Sequence, residues 1–469
     1  MNSFSREGYL AIKKETTENT AVTPDVFIPM MSEDITTEYQ PVTATPIVGS
    51  RVLNQNDIPN MIAPPTGTLT VLLEPQTAGH FFNGCYGDEA VGTLVEISSL
   101  SGDFTVGETI TGGTSTETAT VVATSTEGDY VLVSSLSGDL TVGETITGGT
   151  SSETATVVSG VTGRTGHEFT APKASLDTYT VEIGYQNEVR RFMGVRFNQI
   201  EFSQTDNIIQ GAVGVLARSA FHNAYVTAAV TSGAGSQTIN VDQTTGLVAS
   251  DTIKVYRPGT GYLDFSAAST KTHTIDAVSS ETAFTITNLE TSLQVGDLIV
   301  LAPQTPSYTT DREFSFIGGT EIAIEDDITT AVSASCASVE DFTISLVNTL
   351  EPLHTACGTN FVDRFPSRHV LAALEGTGSF TRTYTDQTFI DKLRKNRDQA
   401  MYLKTVGREI GSTGTNYEMR VFFPNIQFDN FDANLDTNSV IKEEIPFTGY
   451  ESTDGYFQKV LLVNDTASY

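Results

Sequence analysis

Two acidic runs and one basic cluster concentrate the side chains that could do chemistry. Glu325-Asp326-Asp327 could hold a hard cation and reads equally as a solvated turn. Glu443-Glu444 falls in a strand-like stretch, where successive side chains face opposite sides, so one carboxylate must point away from its neighbour. Lys392, Arg394, Lys395 and Arg397 suit either a contact with an acidic patch on another subunit or the wet face of an amphipathic helix. His80, His167, His222, His273, His354 and His369 are scattered, and the one close pairing, His354 with Cys357, supplies too few donors for zinc. There is no Gly-x-Ser-x-Gly elbow and no Walker lysine motif. Gly233-Ala-Gly235 and Gly376-Thr-Gly378 lie in turn-rich stretches that open no helix, so neither reads as a phosphate cradle. The expectation is a protein with no catalytic site and no cofactor.

The bulk properties limit the remaining classes. The chain has 469 residues, enough for two to four domains, and 26 basic against 57 acidic residues leave it at −31. A nucleic-acid binder needs a Lys/Arg surface to displace counterions, and none is visible. Abundant Thr, Ser and Gly with few charged residues suit short strands joined by turns. Cys85, Cys336 and Cys357 give no disulfide framework, which predicts a reducing folding compartment. The stretch Met1 to Lys14 lacks the apolar run of a signal peptide, and no segment approaches the ~20 apolar residues of a membrane helix, so a soluble protein made in the cytosol is expected.

Two kinds of repetition organise the chain. Residues 98–122, SSLSGDFTVGETITGGTSTETATVV, recur as residues 134–158 with a period of 36 and changes only at Phe104/Leu140 and Thr116/Ser152. Two copies fall short of a solenoid and read as a pair of small β modules. Leu293-Gln-Val-Gly-Asp-Leu-Ile299 has the layout of Phe104–Ile110, and Leu247–Ile253 is a weaker echo, so residues 222–305 read as a second β appendage. The other repetition is longer-range. Leu10-Ala-Ile12 falls on Ile322-Ala-Ile324 and Gly67–Thr70 on Gly378–Thr381, at an offset close to 311 residues. Val195–Phe202 falls on Val421–Phe428 at an offset of 226, the drop matching the inserted block. In both tracts apolar parity switches at the same place (Val195, Phe197 to Ile200, Phe202; Val421, Phe423 to Ile426, Phe428), which predicts a bulge or a crossing between sheets.

The elements that must position these residues follow. Each half holds strands, a long polar loop (33–64 and 348–376), one helix (76–86 and 387–403, the latter from the spacing of Phe389, Ile390, Leu393, Ala400 and Met401) and a closing hairpin (179–219 and 417–463). The expected fold class is all-β with minor helix, as two tandem β-barrel or sandwich domains plus small β appendages. The boundaries are 1–90 with 164–221 for the first domain, 92–163 for the repeat pair, 222–305 for the second appendage and 306–469 for the second domain.

Ser5–Thr16, Thr20–Pro29, Tyr179–Gly184 running into Arg190–Val195, and Val460–Asn464 resemble the tail tube (major tail) protein family of tailed bacteriophages, and the Val-Gly-Glu-Thr-Ile-Thr-Gly-Gly modules resemble inserts of phage virion proteins. The resemblance implies a virion-tail protein assembled in the host cytoplasm, not an enzyme. Three two-barrel chains would make pseudo-hexameric rings that stack around a channel, which DNA crosses without specific binding, and the inserts would project outward. It implies as partners other copies, the tape measure, tail terminator and distal tail proteins, and a sheath if the tail is contractile, with no membrane contact. Under it Glu443, Glu444, Glu325, Asp326 and Asp327 are candidate lumen-facing acids, and Lys392, Arg394, Lys395, Arg397, Arg51, Asn54 and Arg364 candidate inter-subunit residues. The inner tube of a contractile tail or a distal ring fits the same residues. A secreted β-repeat adhesin or an acidic glycosidase would need a leader or a carboxylate pair that the sequence does not single out.

Overall fold

β-Branched runs broken by Gly, Asp and Ser turns become antiparallel strands throughout the computed structural model, and the fold is all-β with minor helix. The structure describes residues 8–37, 39–41, 60–87, 89–124, 127–159, 164–171, 175–185, 188–205, 207–263, 272–309, 314–315, 318–334, 339–353, 368–384, 388–395, 399–411, 415–430, 432–434, 441–453 and 455–469.

Twelve strands make the framework. In the first half they are β1 (Tyr9–Lys14), β2 (Met30–Glu33), β3 (Thr66–Leu72), β4 (Tyr179–Gly184), β5 (Val189–Thr205) and β6 (Ile208–Leu216). In the second they are β7 (Thr320–Glu325), β8 (Val339–Leu353), β9 (Arg368–Thr383), β10 (Gln399–Glu409), β11 (Asn416–Phe428) and β12 (Lys442–Tyr450). The first six pair in the order β1-β4-β5-β6-β3-β2. The second six pair in the order β7-β10-β11-β12-β9-β8, the same sequence of partners. The parity switch is a bulge in both: β5 carries an extra residue between Phe197 and Gln199 against β6, and β11 between Phe423 and Ile426 against β10. At that point β5 leaves β4 for β6 and β11 leaves β10 for β12, so one long strand serves two sheets.

The halves share one core. Residues Gln199–Ser203 of β5 pair with Thr343–Val347 of β8, and a single apolar cluster runs from Leu10, Phe82 and Phe197 to Phe342, Phe423 and Leu462. Helix α1 (Ala78–Cys85) is buried in it, with Phe81 packed on Phe197 and Phe82 on Phe202. The second half holds two helices, α2 (Ile328–Ser333) and α3 (Thr388–Lys395), where one was expected. Helix α3 ends well short of residue 403. Ala400 and Met401 lie in β10, buried on both faces, where an apolar run has no polar alternation to mark it as strand. Of the second long loop, residues 348–353 and 368–376 extend the β8–β9 hairpin as a two-stranded ribbon.

The repeats build one closed barrel rather than two modules. Strands Glu89–Ser98, Tyr130–Ser134, Thr118–Thr124, Thr109–Gly112, Thr145–Gly148 and Thr154–Val157 pair in that order, and the last returns to the first. Equivalent residues of the two copies face each other, Val95 opposite Val131 and Thr111 opposite Thr147, so the barrel has a local twofold. Its lock is reciprocal. Glu144 accepts from the Thr114 and Ser115 amides at 2.9 and 2.8 Å, and Glu108 from the Thr150 and Ser151 amides at 2.8 and 2.9 Å. Burial opposes ionisation of both, but these hydrogen bonds outweigh it and hold each carboxyl at about 2.

The barrel is also docked on the second half. Leu94, Tyr130 and Leu132 pack on Tyr402, Phe422 and Leu461, and buried Arg420 donates to Asp129 at 2.9 Å and Glu96 at 2.6 Å. Glu127 of the barrel receives buried Lys459 at 3.2 Å.

The echo at 247–253 and 293–299 is the same turn. In all four copies a carboxylate accepts from the amide three residues earlier: Glu108 from Thr105, Glu144 from Thr141, Asp251 from Val248, Asp297 from Gln294. In all four the preceding residue has positive φ: Gly107, Gly143, Ser250 and Gly296. The strand pairs also correspond: Gly233–Asn240 with Ala283–Leu289 and Thr252–Arg257 with Leu298–Leu301 repeat the arrangement around the barrel's twofold. Asp251 ties this appendage to β5 through Arg191, which is buried and spends its N–H groups on Asp251, Glu182 and the Gly246 carbonyl.

The Glu108/Glu144 lock gives stability a defined acid limb. A carboxyl lowered from its unfolded value of 4.5 to about 2 contributes fully above pH 4.5 and loses that contribution as pH falls toward 2. Thermal unfolding followed by circular dichroism should therefore show Glu108→Gln/Glu144→Gln destabilised at pH 7 and converging on the wild type as pH drops from 4.5 toward 2.

A candidate channel surface

The β5–β8 joint makes the strands β2-β3-β6-β5-β8-β9-β12-β11 one continuous antiparallel sheet, four strands from each half. One face covers the core through Leu69, Val213, Phe202, Ile344, Phe380 and Phe447. The alternate residues form the other face, and their types explain why it is left uncovered. A single transverse row reads Ser32, Thr70, Ala212, Glu201, Ser345, Thr377, Thr448, Gln427 across all eight strands. The next reads Leu72, Gln210, Ser203, Thr343, Ser379, Pro446. Small hydroxyl side chains keep the pleat well formed, present no apolar patch, and offer no ammonium or guanidinium to a polyanion.

Charge on this face is acidic. Glu201, Asp341, Glu375 and Glu444 stand on it, and among the described residues the basic side chains on it sit at its ends: Arg196 lies 3.4 Å from Glu18, Lys442 2.6 Å from Glu340, and Arg368 is exposed at the end of the β8–β9 ribbon. Among the described residues the sheet has two unpaired flanks. Strand β2 bonds to β3 alone, and at the far side the end of β11 is followed by Asp432–Asn434, which bonds to β12 alone.

The sequence candidates divide. Glu444 is exposed on the open face opposite Thr381. Glu443 is corrected from lumen-facing to buried: it lies on the core side of β12, fully covered, and takes the guanidinium of Arg382 from β9. Glu325, Asp326 and Asp327 stand elsewhere. These three close β7 and start α2, outside the eight-stranded sheet, where Asp327 accepts the Thr330 amide at 2.8 Å and Asp326 the Gln399 amide group at 3.0 Å. That is the N-cap reading of an acidic turn. Lys392 on α3 donates to the Ile324 carbonyl at 3.2 Å within the chain, and Arg394 is exposed. The side chain of Lys395 and residues Arg397, Arg51, Asn54 and Arg364 lie outside the described residues, as do His354, Cys336 and Cys357.

Glu201, Asp341 and Glu375 were not singled out from sequence. Their signal is present in the alternation Thr377-x-Ser379-x-Thr381-x-Thr383, a strand whose polar side is hydroxyl-only, but register across seven other strands is needed to see the row. Among the described residues there is no group of His, Cys, Asp and Glu side chains able to hold a metal, and no helix is long and apolar enough to cross a membrane. Compared with protein-family models and with curated proteins, the chain matches none.

Neighbouring glutamates should behave in opposite ways. Glu443→Ala removes the buried carboxylate that takes the Arg382 guanidinium and should cost about 3–5 kcal/mol, whereas Glu444→Lys on the open face should stay within about 0.5 kcal/mol. Urea denaturation of the two variants measures both.

Proposed function

We propose that the chain is a structural subunit of a hollow tube, of the kind that forms the tail of a tailed bacteriophage, and that three copies close each ring. The observation that carries this reading is the eight-stranded sheet contributed equally by two halves of one strand order, with its hydroxyl face open and its two flanks unpaired. Unpaired strand edges seek strands, and the partner that fits both flanks at once is another copy. The β5–β8 pairing is the same kind of joint already made inside the chain. Twenty-four strands at ~4.8 Å spacing and a tilt of ~40° close at a backbone diameter of roughly 48 Å, wide enough for a DNA duplex. The acidic, hydroxyl-coated face would then line the bore, repelling phosphate within the ~8 Å over which charge acts at physiological salt. The β8–β9 ribbon, with Leu353 and Val370 exposed, reaches beyond the sheet and suits contact with the next ring. The barrel and the appendage lie off the open face, on the outside.

Negative-stain microscopy of concentrated protein tests the reading directly, with annuli or hollow tubes as the expected result and persistent monomers as the result against it. Met31→Lys places a charge on the flank strand β2, where the native side chain is exposed. It should leave the circular dichroism spectrum unchanged and abolish the tubes.

A further inference from the structure

The second appendage differs from the barrel in what the same face displays. In the barrel, the positions flanking the conserved Ile110 and Ile146 are Thr109, Thr111, Thr145 and Thr147, all exposed hydroxyls. In the appendage the positions flanking Ile253 and Ile299 are Thr252, Lys254, Leu298 and Val300, and three tyrosines join them. Register puts Tyr225, Leu298, Tyr256 and Tyr262 in one transverse row over four adjacent strands, Ala224–Tyr225, Leu298–Leu301, Thr252–Arg257 and Gly261–Tyr262. Tyr225 is 51% and Tyr256 37% exposed. The Tyr256 and Tyr262 rings meet edge to face at 5.4 Å, and the Lys254 ammonium lies 5.6 Å from the Tyr262 ring centre. In a chain of charge −31, none of the side chains these four strands place on this face is acidic.

We propose that this tyrosine row is a binding platform for an extended polysaccharide. Size argues against a protein occupant: the seven side chains these four strands place on this face cover on the order of 250 Å², far below the about 800 Å² per partner of a stable protein interface. A sugar chain is narrow enough. Its pyranose rings present C–H faces that stack on aromatic rings and hydroxyls that remain in water, which is what a flat row of half-exposed tyrosines accommodates. The row spans ~14 Å between its outer strands, room for a few linked sugars. Lys254 adds a cation at its edge for ring oxygens or acidic substituents. Arg191 ties the appendage to β5 through Asp251.

Affinity electrophoresis of the full-length protein through gels containing xylan, mannan, dextran or alginate tests this. Retardation by at least one polysaccharide is expected, weakened at least ~10-fold in Tyr256→Ala and Tyr225→Ala and retained in Tyr256→Phe, which keeps the ring; both tyrosines are exposed, so the alanine variants remain folded. Retardation confined to alginate would assign the contact to acidic sugars through Lys254, with Lys254→Ala losing it. The proposal is overturned if no gel retards the protein, if Tyr256→Ala migrates like the wild type, or if the alanine variants lose self-association in sedimentation while no polysaccharide binds.

Discussion

Five residues of β5 paired with five of β8 hold the architecture together. Without that joint the chain would be two six-stranded units, each with its own exposed edges and a small core. With it, the apolar sides of both halves close over one cluster and the polar sides become one uninterrupted face. Because side chains alternate with period two, the joint allows no odd slip: a shift of β5 by one residue would turn Phe202 outward and Glu201 into the core, against an unchanged Ile344. The bulge before it sets the parity. An extra residue at Asn198 lets one strand pack Phe197 in one sheet and Phe202 in the other, and the same device at Pro424–Asn425 does so in the second half.

Charge is handled by location. Buried carboxylates have arginine, lysine or amide partners: Glu443 with Arg382, Glu127 with Lys459, Asp251 and Glu182 with Arg191, Glu108 and Glu144 with backbone amides. Such groups contribute little net stability against an apolar alternative but are costly to break singly, so they specify one docking geometry. Arg420 illustrates this. Its partners are Glu418 on β11 itself, Glu96 on one strand of the inserted barrel and Asp129 in the turn before another; Arg420, with the Ser159 hydroxyl and Arg164, draws Glu96 down to about 2 against the opposing effect of burial. The barrel is therefore packed on the second half rather than a detachable ornament, and the excess negative charge is left for the surfaces.

Much of this was legible in the chain. The offsets of about 311 and 226 residues mark strands that do occupy equivalent places, the parity switch marks a true bulge, and the Val-Gly-Glu and Val-Gly-Asp echoes mark one turn. What stayed hidden required register. Glu443 and Glu444 are sequence neighbours with opposite fates, and alternation says only that they differ, not which is buried; Arg382, 61 residues away, decides that. The 36-residue repeats looked like two modules because a repeat carries no information on whether its edges close on themselves or on each other. Ala400 and Met401 read as helix because a strand buried on both faces loses the polar alternation that would identify it.

Duplication within one polypeptide also changes the thermodynamics of closing a ring. A ring of six separate units needs six intermolecular joints, whereas three double units need three, since the others are made during folding. A tethered joint forms at an effective concentration in the mM range, independent of how much protein the cell contains. The covalent arrangement further frees the halves to diverge. One keeps α1 inside the core and carries the inserted barrel, while the other exposes one side of α3 and takes that barrel onto β10 and β11. In the proposed ring, two copies of one strand order would thus supply a uniform inner face and a strongly non-uniform exterior, because only the eight-stranded sheet is bound by the register that both halves share.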